Sequence, residues 1–476
     1  MKKSFQYLHR YLGLMLSVLF VVWFLSGFVM MFHSFPRPLK SEYLKLNQPI
    51  GHFDSLPLGD SATALSLETC LERLYLRRVD GDGQEQLLAY PSWQPISGFP
   101  EAECRQLALA RCPEGVDSVQ TLTHFDMWIP WERYAEYFPI YKYHMDDDVQ
   151  TELYVSSVTG EIVQESTHVK RLAAWFGAIP HWVYIKHLRL NAGLWKNTVI
   201  VLSALGSLMC LAGIILGFHY IIRMRRRKSA GFNPYKKFWM KWHYGLGLFF
   251  GLVTFTYVFS GMMSLCSVPQ FVAPGNGRLP MVKSKDKEMV CLPLESFSRP
   301  VDSIVAYFPD AIKVEWTIIG SEPFYRVTQD DGSVVMAQGD SSKTVRKLFF
   351  EPSEVEKIFA KEIGHHPHQI VLQGDYDNYY RPNSKGDKVL PVYRIDIDNP
   401  QRTVIYFDPT TAGQLGEFTS NSRVHRWVYQ FLHAFDTPWL LSHPTIRLFL
   451  ELFLMVGGTL LSVTALGLTW KRIFGK

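Results

Sequence analysis

Charge is nearly absent from four long stretches of this chain. Tyr11–Phe32, Asn197–Ile222 and Tyr244–Val268 contain no Asp, Glu, Lys or Arg, and Leu448–Trp470 contains only Glu451. As helices rising ~1.5 Å per residue, such runs cross the ~30 Å hydrocarbon layer of a bilayer, so four transmembrane helices are predicted. Cysteine is scarce too. There are six, with no CxxC pair, which argues against a thiol redox centre or a cysteine-held metal. The sequence has no Gly-rich phosphate loop, dinucleotide fingerprint or nucleophile elbow around a serine, so flavin or nicotinamide binding has no support. With Glu451 the lone acid inside a span, no proton path or ion-coupled transport is indicated.

The basic residues that are present sit beside the spans. Lys2, Lys3 and Arg10 precede or open the first. Arg223, Arg225, Arg226, Arg227, Lys228, Lys236, Lys237 and Lys241 lie between the second and third, and Lys471, Arg472 and Lys476 follow the fourth. Basic flanks mark the cytoplasmic side, so both termini and the 223–242 loop are assigned there. These anchors account for the net charge of +5 without a nucleic-acid surface. The first span lacks a small-residue cleavage site and is followed by Phe35-Pro36-Arg37-Pro38, so it is read as a permanent helix. The resulting division is 1–32 (start and first helix), 33–195 (outer domain), 196–222 (second helix), 223–242 (basic loop), 243–268 (third helix), 269–445 (outer domain), 446–470 (fourth helix) and 471–476 (tail).

The two halves match each other. Leu8-His9-Arg10-Tyr11-Leu12-Gly13-Leu14 and Ser26-Gly27 find counterparts 234 positions later in Trp242-His243-Tyr244-Gly245-Leu246-Gly247-Leu248 and Ser260-Gly261. A second register of 252 positions links Pro130/Pro382, Tyr141/Tyr393, Tyr154/Tyr406, Arg171/Arg423, Trp175/Trp427, His181/His433 and Gly206/Gly458. The predicted fold is therefore a membrane α-helical protein of two parallel repeats, each bearing an α+β outer domain. Phe138–Met145 with Gln150–Val155, and Pro391–Ile397 with Thr403–Phe407, alternate as hairpin strands. Glu101–Arg111 and Ser353–Ile363 read as helices, and Pro36–Asp60 and Pro269–Lys287 as extended segments.

Only four of sixteen histidines occupy matched positions: His9 with His243, and His181 with His433. One pair falls near each membrane face, an arrangement suited to axial ligation of two b-type haems through His9, His243, His181 and His433. Arg10 and Lys241 are candidate propionate partners on one side, Arg171 and Arg423 on the other. His219, unmatched because Lys471 stands in its place, is a further inner candidate; His33, His187 and His425 are weaker outer ones. His365-His366-Pro367-His368 has no counterpart and reads as a surface loop. Clusters around Asp126, Trp128, Trp131, Tyr134 and Tyr137, and around Asp377, Tyr379, Tyr380 and Arg381, offer aromatic faces for a bulky ligand, or packing against the interface. Trp128, Trp131, Tyr379 and Tyr380 are the substrate-contact candidates. Disulfides Cys104–Cys112 or Cys266–Cys291 are open possibilities for exported segments.

The order of Leu8-His9-Arg10, Ser26-Gly27, outer domain, Trp175…His181, helix and Arg-rich loop resembles the PepSY-associated transmembrane proteins. The passages Pro139-Ile140-Tyr141…Thr159-Gly160-Glu161 and Pro391-Val392-Tyr393…Thr411 look like PepSY modules. The resemblance covers nearly the whole chain. Members of that family include di-haem ferric-siderophore reductases of the bacterial inner membrane. It implies electrons passing from a cytoplasmic or quinol donor to a periplasmic ferric siderophore, with release of Fe(II). PepSY modules elsewhere are tied to peptidase inhibition, which implies the rival reading of a non-enzymatic binding or regulatory membrane protein.

Overall fold

A computed structural model describes residues 2–37, 40–59, 62–226, 233–275, 291–382 and 388–475. Arg227 and Lys228 of the basic loop, positions 38, 39 and 60 of the first extended segment and 276–287 of the second lie outside the described residues. Among the described residues, four helices are long and apolar enough to cross a membrane: Lys2–Phe32, Ala192–Arg226, Phe238–Met263 and Pro444–Ile473. Three of them extend one to two turns past the charge-free runs, because Lys and Arg side chains at their ends can reach water while the backbone stays helical.

These helices close a ring. The first packs on the second, the second on the third, the third on the fourth and the fourth on the first. Leu16, Phe20, Phe24, Met209, Cys210, Val258 and Met455 fill its centre. Glycine lets the aromatic rings in. A Cβ on Gly458 would lie 2.1 Å from the Phe24 ring, one on Gly457 2.2 Å from Phe250, and one on Gly206 3.1 Å from Phe20. Helix association in hydrocarbon rests on such close packing of small residues.

Sixteen strands stand beyond one end of the ring. The first outer segment contributes β1 (Ala64–Cys70), β2 (Arg73–Val79), β3 (Glu85–Ala89), β4 (Gln94–Ile96), β5 (Val116–Leu122), β6 (Ile140–Met145), β7 (Glu152–Ser156) and β8 (Ile162–Ser166). The second contributes β9 (Ala311–Ile319), β10 (Glu322–Gln329), β11 (Val334–Gln338), β12 (Arg346–Lys347), β13 (His368–Gln373), β14 (Val392–Ile397), β15 (Val404–Phe407) and β16 (Gln414–Phe418). Strands β5-β6-β7-β8 and β13-β14-β15-β16 form two antiparallel meanders of the same order, which contain the hairpins read from the sequence. The remaining eight make one sheet, β12-β11-β10-β9-β1-β2-β3-β4, in which β1 pairs with β9 at Leu67↔Val314. The two outer segments are thus joined by a shared sheet that the hairpin pattern did not announce. The expected helix over Ser353–Ile363 is interrupted at Phe359, giving Pro352–Ile358 and Ala360–Ile363.

Neither proposed disulfide is present. Cys104 and Cys112 are separate buried thiols and Cys291 is an exposed one. The thiols of Cys104 and Cys112 point to different partners: Cys104 to the Phe99 and Ser156 carbonyls, Cys112 to the Glu114 and Asp147 carboxylates.

The acids of the two aromatic clusters are structural. Tyr154 donates to Asp126 (2.7 Å) with Lys142 alongside (3.3 Å), and Tyr406 donates to Asp377 (2.6 Å) with Arg394 alongside (3.3 Å). Burial pushes the Asp126 carboxyl up, but Lys142 and the Tyr154 hydroxyl outweigh it and hold the group below the ordinary carboxylate value.

Two outcomes test this packing. Gly458→Val drives a branched side chain into Phe24 and should destabilise the detergent-solubilised protein by about 1–3 kcal/mol, read as a lower Tm. Asp126→Asn removes charge-assisted bonds worth about 1.5–3 kcal/mol. Because the folded carboxyl titrates below its unfolded value of about 3.9, the deficit should be full at pH 7. It should then shrink as the pH falls through that value and below. A deficit independent of pH between 7 and 2 would contradict the assignment.

Candidate functional site

The four matched histidines meet as two pairs. His9 and His243 have ring centres 6.0 Å apart, and His181 and His433 6.1 Å apart. Along both the first and third helices the two layers are separated by the seventeen residue steps from His9 to Ser26, or from His243 to Ser260, roughly 26 Å of helix.

Local structure brings each ring inward. His9 and His243 lie on the first and third long helices. His181 ends a short helix, Ala178–His181, that restarts after the break at Gly177. His433 follows a π-helical turn, Arg426–Phe431, and precedes Phe435, which is left-handed at φ 44°. Such turns re-aim the residues after them and recur at functional sites.

One nitrogen of every ring is spoken for. His9 Nδ1 lies 2.9 Å from the Met209 carbonyl. His181 Nδ1 lies 3.2 Å from both the Trp23 carbonyl and Ser26 Oγ. His433 Nδ1 lies 3.0 Å from Ser260 Oγ, and His243 Nδ1 3.1 Å from Thr464 Oγ1. The three hydroxyls donate their own protons to the carbonyls of Trp23, Tyr257 and Leu461. The Met209 and Trp23 carbonyls call for the proton on Nδ1 of His9 and His181, and with the hydroxyl protons on their carbonyls the same tautomer fits His433 and His243. Each neutral ring is left with an Nε2 lone pair, the form in which histidine binds a metal.

The Ser-Gly pairs of the sequence now have a reason. Ser26 and Ser260 hold Nδ1, while Gly27 and Gly261 lie against the rings: a Cβ there would be 3.7 Å from His181 Cε1 and 3.9 Å from His433 Cε1. Gly213 serves His9 more tightly, at 2.7 Å.

Each pair borders a large cavity. The inner one, about 1290 Å³, is walled by all four helices, with Gly13, Gly213, Gly245 and Gly247 on its surface and Lys3, Arg10 and Arg472 among its cations. The outer one, about 920 Å³, lies at the end of the ring that carries the sheets and is lined by Trp23, Gly27, Trp131, Tyr257 and Gly261. Phe20 borders the first cavity and Phe24 and Met455 the second, so the central apolar cluster separates them.

The other sequence candidates divide. Arg10 lines the inner cavity, its guanidinium over Tyr7 and Tyr11. His219 is exposed, with its ring against Tyr220, because its helical position faces away from the ring interior. Arg171 and Arg423 do not line the outer cavity. Arg171 binds the Ser166 and Gln150 carbonyls and Arg423 the Arg402 carbonyl, so each ties a helix start to the neighbouring meander. Trp131 lines the outer cavity, but Trp128 and Tyr380 are buried in domain cores, Tyr380 stacked on Tyr406. Tyr379 packs on Phe418. His425 binds the Met263 carbonyl, and His33 and His187 are exposed. His365 and His366 are exposed loop residues, and His368 opens β13. The residues missed were Arg37, Arg133, Arg189 and Arg447, all on the outer cavity. Searching for matched residues passes over them, since each lacks a matched arginine in the other half. Arg189 stands close to Lys186 and His187 in Trp182–Leu190, so no local pattern in the sequence set it apart.

A family model described as the PepSY-associated TM region matches residues 6–288, more than half of the chain. No curated protein matches it.

The positioning hydroxyls can be tested directly. Partners of a ligating histidine are worth about 10–100-fold in metal affinity. If the pairs hold haem, Ser260→Ala should speed its loss from the outer pair to a scavenging globin by that order, with the inner pair unaffected, and Thr464→Val should show the reverse.

Proposed function

The chain belongs to the PepSY-associated transmembrane family, and from that premise we propose that it is a bacterial inner-membrane reductase carrying two b-type haems. It delivers electrons to a ferric siderophore in the periplasm and so releases Fe(II). Both termini and the basic loop face the cytoplasm, following the distribution of Lys and Arg, and the sheets face the periplasm. The two halves are parallel repeats, so each histidine pair is made by one ligand from either half.

One observation carries the haem assignment: four imidazoles, each with Nδ1 in a hydrogen bond to an oxygen, stand in pairs about 6 Å apart. Metal–imidazole bonds of about 2.0–2.1 Å put the two ring centres on opposite sides of one ion roughly 6 Å apart. Among the described residues, no three His, Cys, Asp or Glu side chains converge as a metal site. Each pair thus offers two axial ligands and needs an equatorial set from elsewhere, which a porphyrin provides. The apolar walls and the glycines against the rings suit a flat macrocycle.

Bound haems would supply one-electron transfer between the faces. The chain's own residues hold the axial imidazoles in one tautomer, exclude water from the centre with Phe20, Phe24 and Met455, and present the outer cavity to the solvent side. No side chain forms a bond to the substrate. The siderophore assignment rests on the family resemblance and on chemistry: reducing Fe(III) weakens its hold by hard oxygen donors.

Protein purified from haem-replete cells should show a Soret band and, after dithionite, the sharp α-band of six-coordinate haem. His433→Ala should remove about half of the haem, and a ferric hydroxamate should reoxidise the reduced protein. Haem-free protein from such cells would reject the reductase and leave the binding or regulatory reading.

A further inference from the structure

The outer cavity contains a charge that nothing among the described residues answers. Arg189, on the short helix Lys186–Leu190, is only 8% exposed. Its guanidinium stacks 4.4 Å over Trp195 and lies 6.0 Å from the Trp131 ring. It lines the same cavity as His181 and His433. Among the described residues it has no side-chain hydrogen bond and no carboxylate partner. The contrast is local. Arg447, on the same cavity, pairs with Glu451 at 2.8 Å, and the nearby buried Arg426 pairs with Asp436 at 3.1 Å. The Arg189 stem is buried, but its guanidinium nitrogens are not closed off in packing and face the cavity, so the charge meets whatever fills that space, held in place by stacking on indole.

We infer that Arg189 anchors a carboxylate that enters the outer cavity on a molecule that is not part of the chain. Its planar fork matches a carboxylate through two parallel hydrogen bonds. Trp131 and Trp195 give the attached body an aromatic wall. Arg133, 4.7 Å over the other indole contact at Trp131, and the exposed Arg37 add positive charge at the mouth. Two sources share this chemistry. One is the propionate of a haem on the His181/His433 pair, which rests on the function proposed above. The other is a carboxylate of an incoming chelate, which does not.

The test uses full-length protein in detergent, as wild type, Arg189→Gln and Arg189→Lys. Haem content and midpoint potentials are measured at matched haem supply. Tryptophan fluorescence is then titrated with gallium citrate, a redox-silent carboxylate probe. If a propionate is the partner, R189Q loses outer haem at least about tenfold more readily while the inner haem stays, and citrate leaves the fluorescence unchanged. If a chelate is the partner, haem content is unchanged, citrate quenches the wild type, and R189Q binds it at least about tenfold more weakly. Wild type without haem but with Arg189-dependent citrate binding would uphold the anchor and reject the reductase. R189Q that is monodisperse and equal to wild type in both readouts overturns the inference. Should R189Q not purify intact, R189K decides: it keeps the charge but not the fork, and equality with wild type in both readouts again overturns it.

Discussion

Four imidazoles each commit their Nδ1–H to an oxygen on a long helix, and the remainder of the membrane region is built around that requirement. His9 draws on a carbonyl of the second helix and His243 on a hydroxyl of the fourth, whereas His181 and His433 draw on the first and third. Each bond ties a ligand to a different element, so the geometry of a pair is set by how the helices pack. That makes the glycines necessary. With a methyl at Gly213, Gly457 or Gly458, an aromatic or imidazole ring would have to move, and with it the distance between the lone pairs.

The same packing separates the two layers. Roughly 26 Å of helix lies between them, and its centre is filled by Phe20, Phe24, Met209, Val258 and Met455. An ion cannot cross such a filling cheaply, whereas an electron needs only centres spaced along the path. Two largely apolar, ligand-sized cavities with an apolar plug between them fit the proposed transfer of electrons better than passage of a solute. The shared eight-stranded sheet adds a constraint from outside the membrane. Pairing β1 with β9 couples the two outer segments, and those segments lead into His181 and His433.

How much of this was legible follows from what repeats and what does not. The helices were plain because charge-free runs of that length have few alternatives. The histidine pairs were plain because a matched position is constrained in both halves. The hairpins at Tyr141 and Tyr393 showed through period-two alternation. The joint sheet did not, because β1 and β9 are far apart in sequence and strand pairing leaves no local mark on either partner. Matching also misled in one respect. Arg171 and Arg423 recur because each ties a helix to its meander, and Asp126 and Asp377 recur because each satisfies a buried tyrosine. Repetition identifies whatever both halves need, and scaffold is needed as much as ligands are.

The outer cavity shows the complementary case. Among the described residues its cations come unequally from the two halves: Arg37, Arg133 and Arg189 from the first, and Arg447 from the second, already paired with Glu451. Leu441 stands 252 positions after Arg189, and Arg447 stands 252 positions after Trp195. One half thus places an open cation where the other places an apolar side chain. On the function proposed, holding two flat cofactors needs symmetry, since both layers face the same task. Meeting a molecule that arrives from one direction does not, and here the symmetry is broken. The departure occurs on the cavity that opens toward the sheets, beside the layer where an acceptor would have to approach. On the proposed reading, matched residues fix where electrons reside, while unmatched residues such as Arg189 govern what comes close enough to take them.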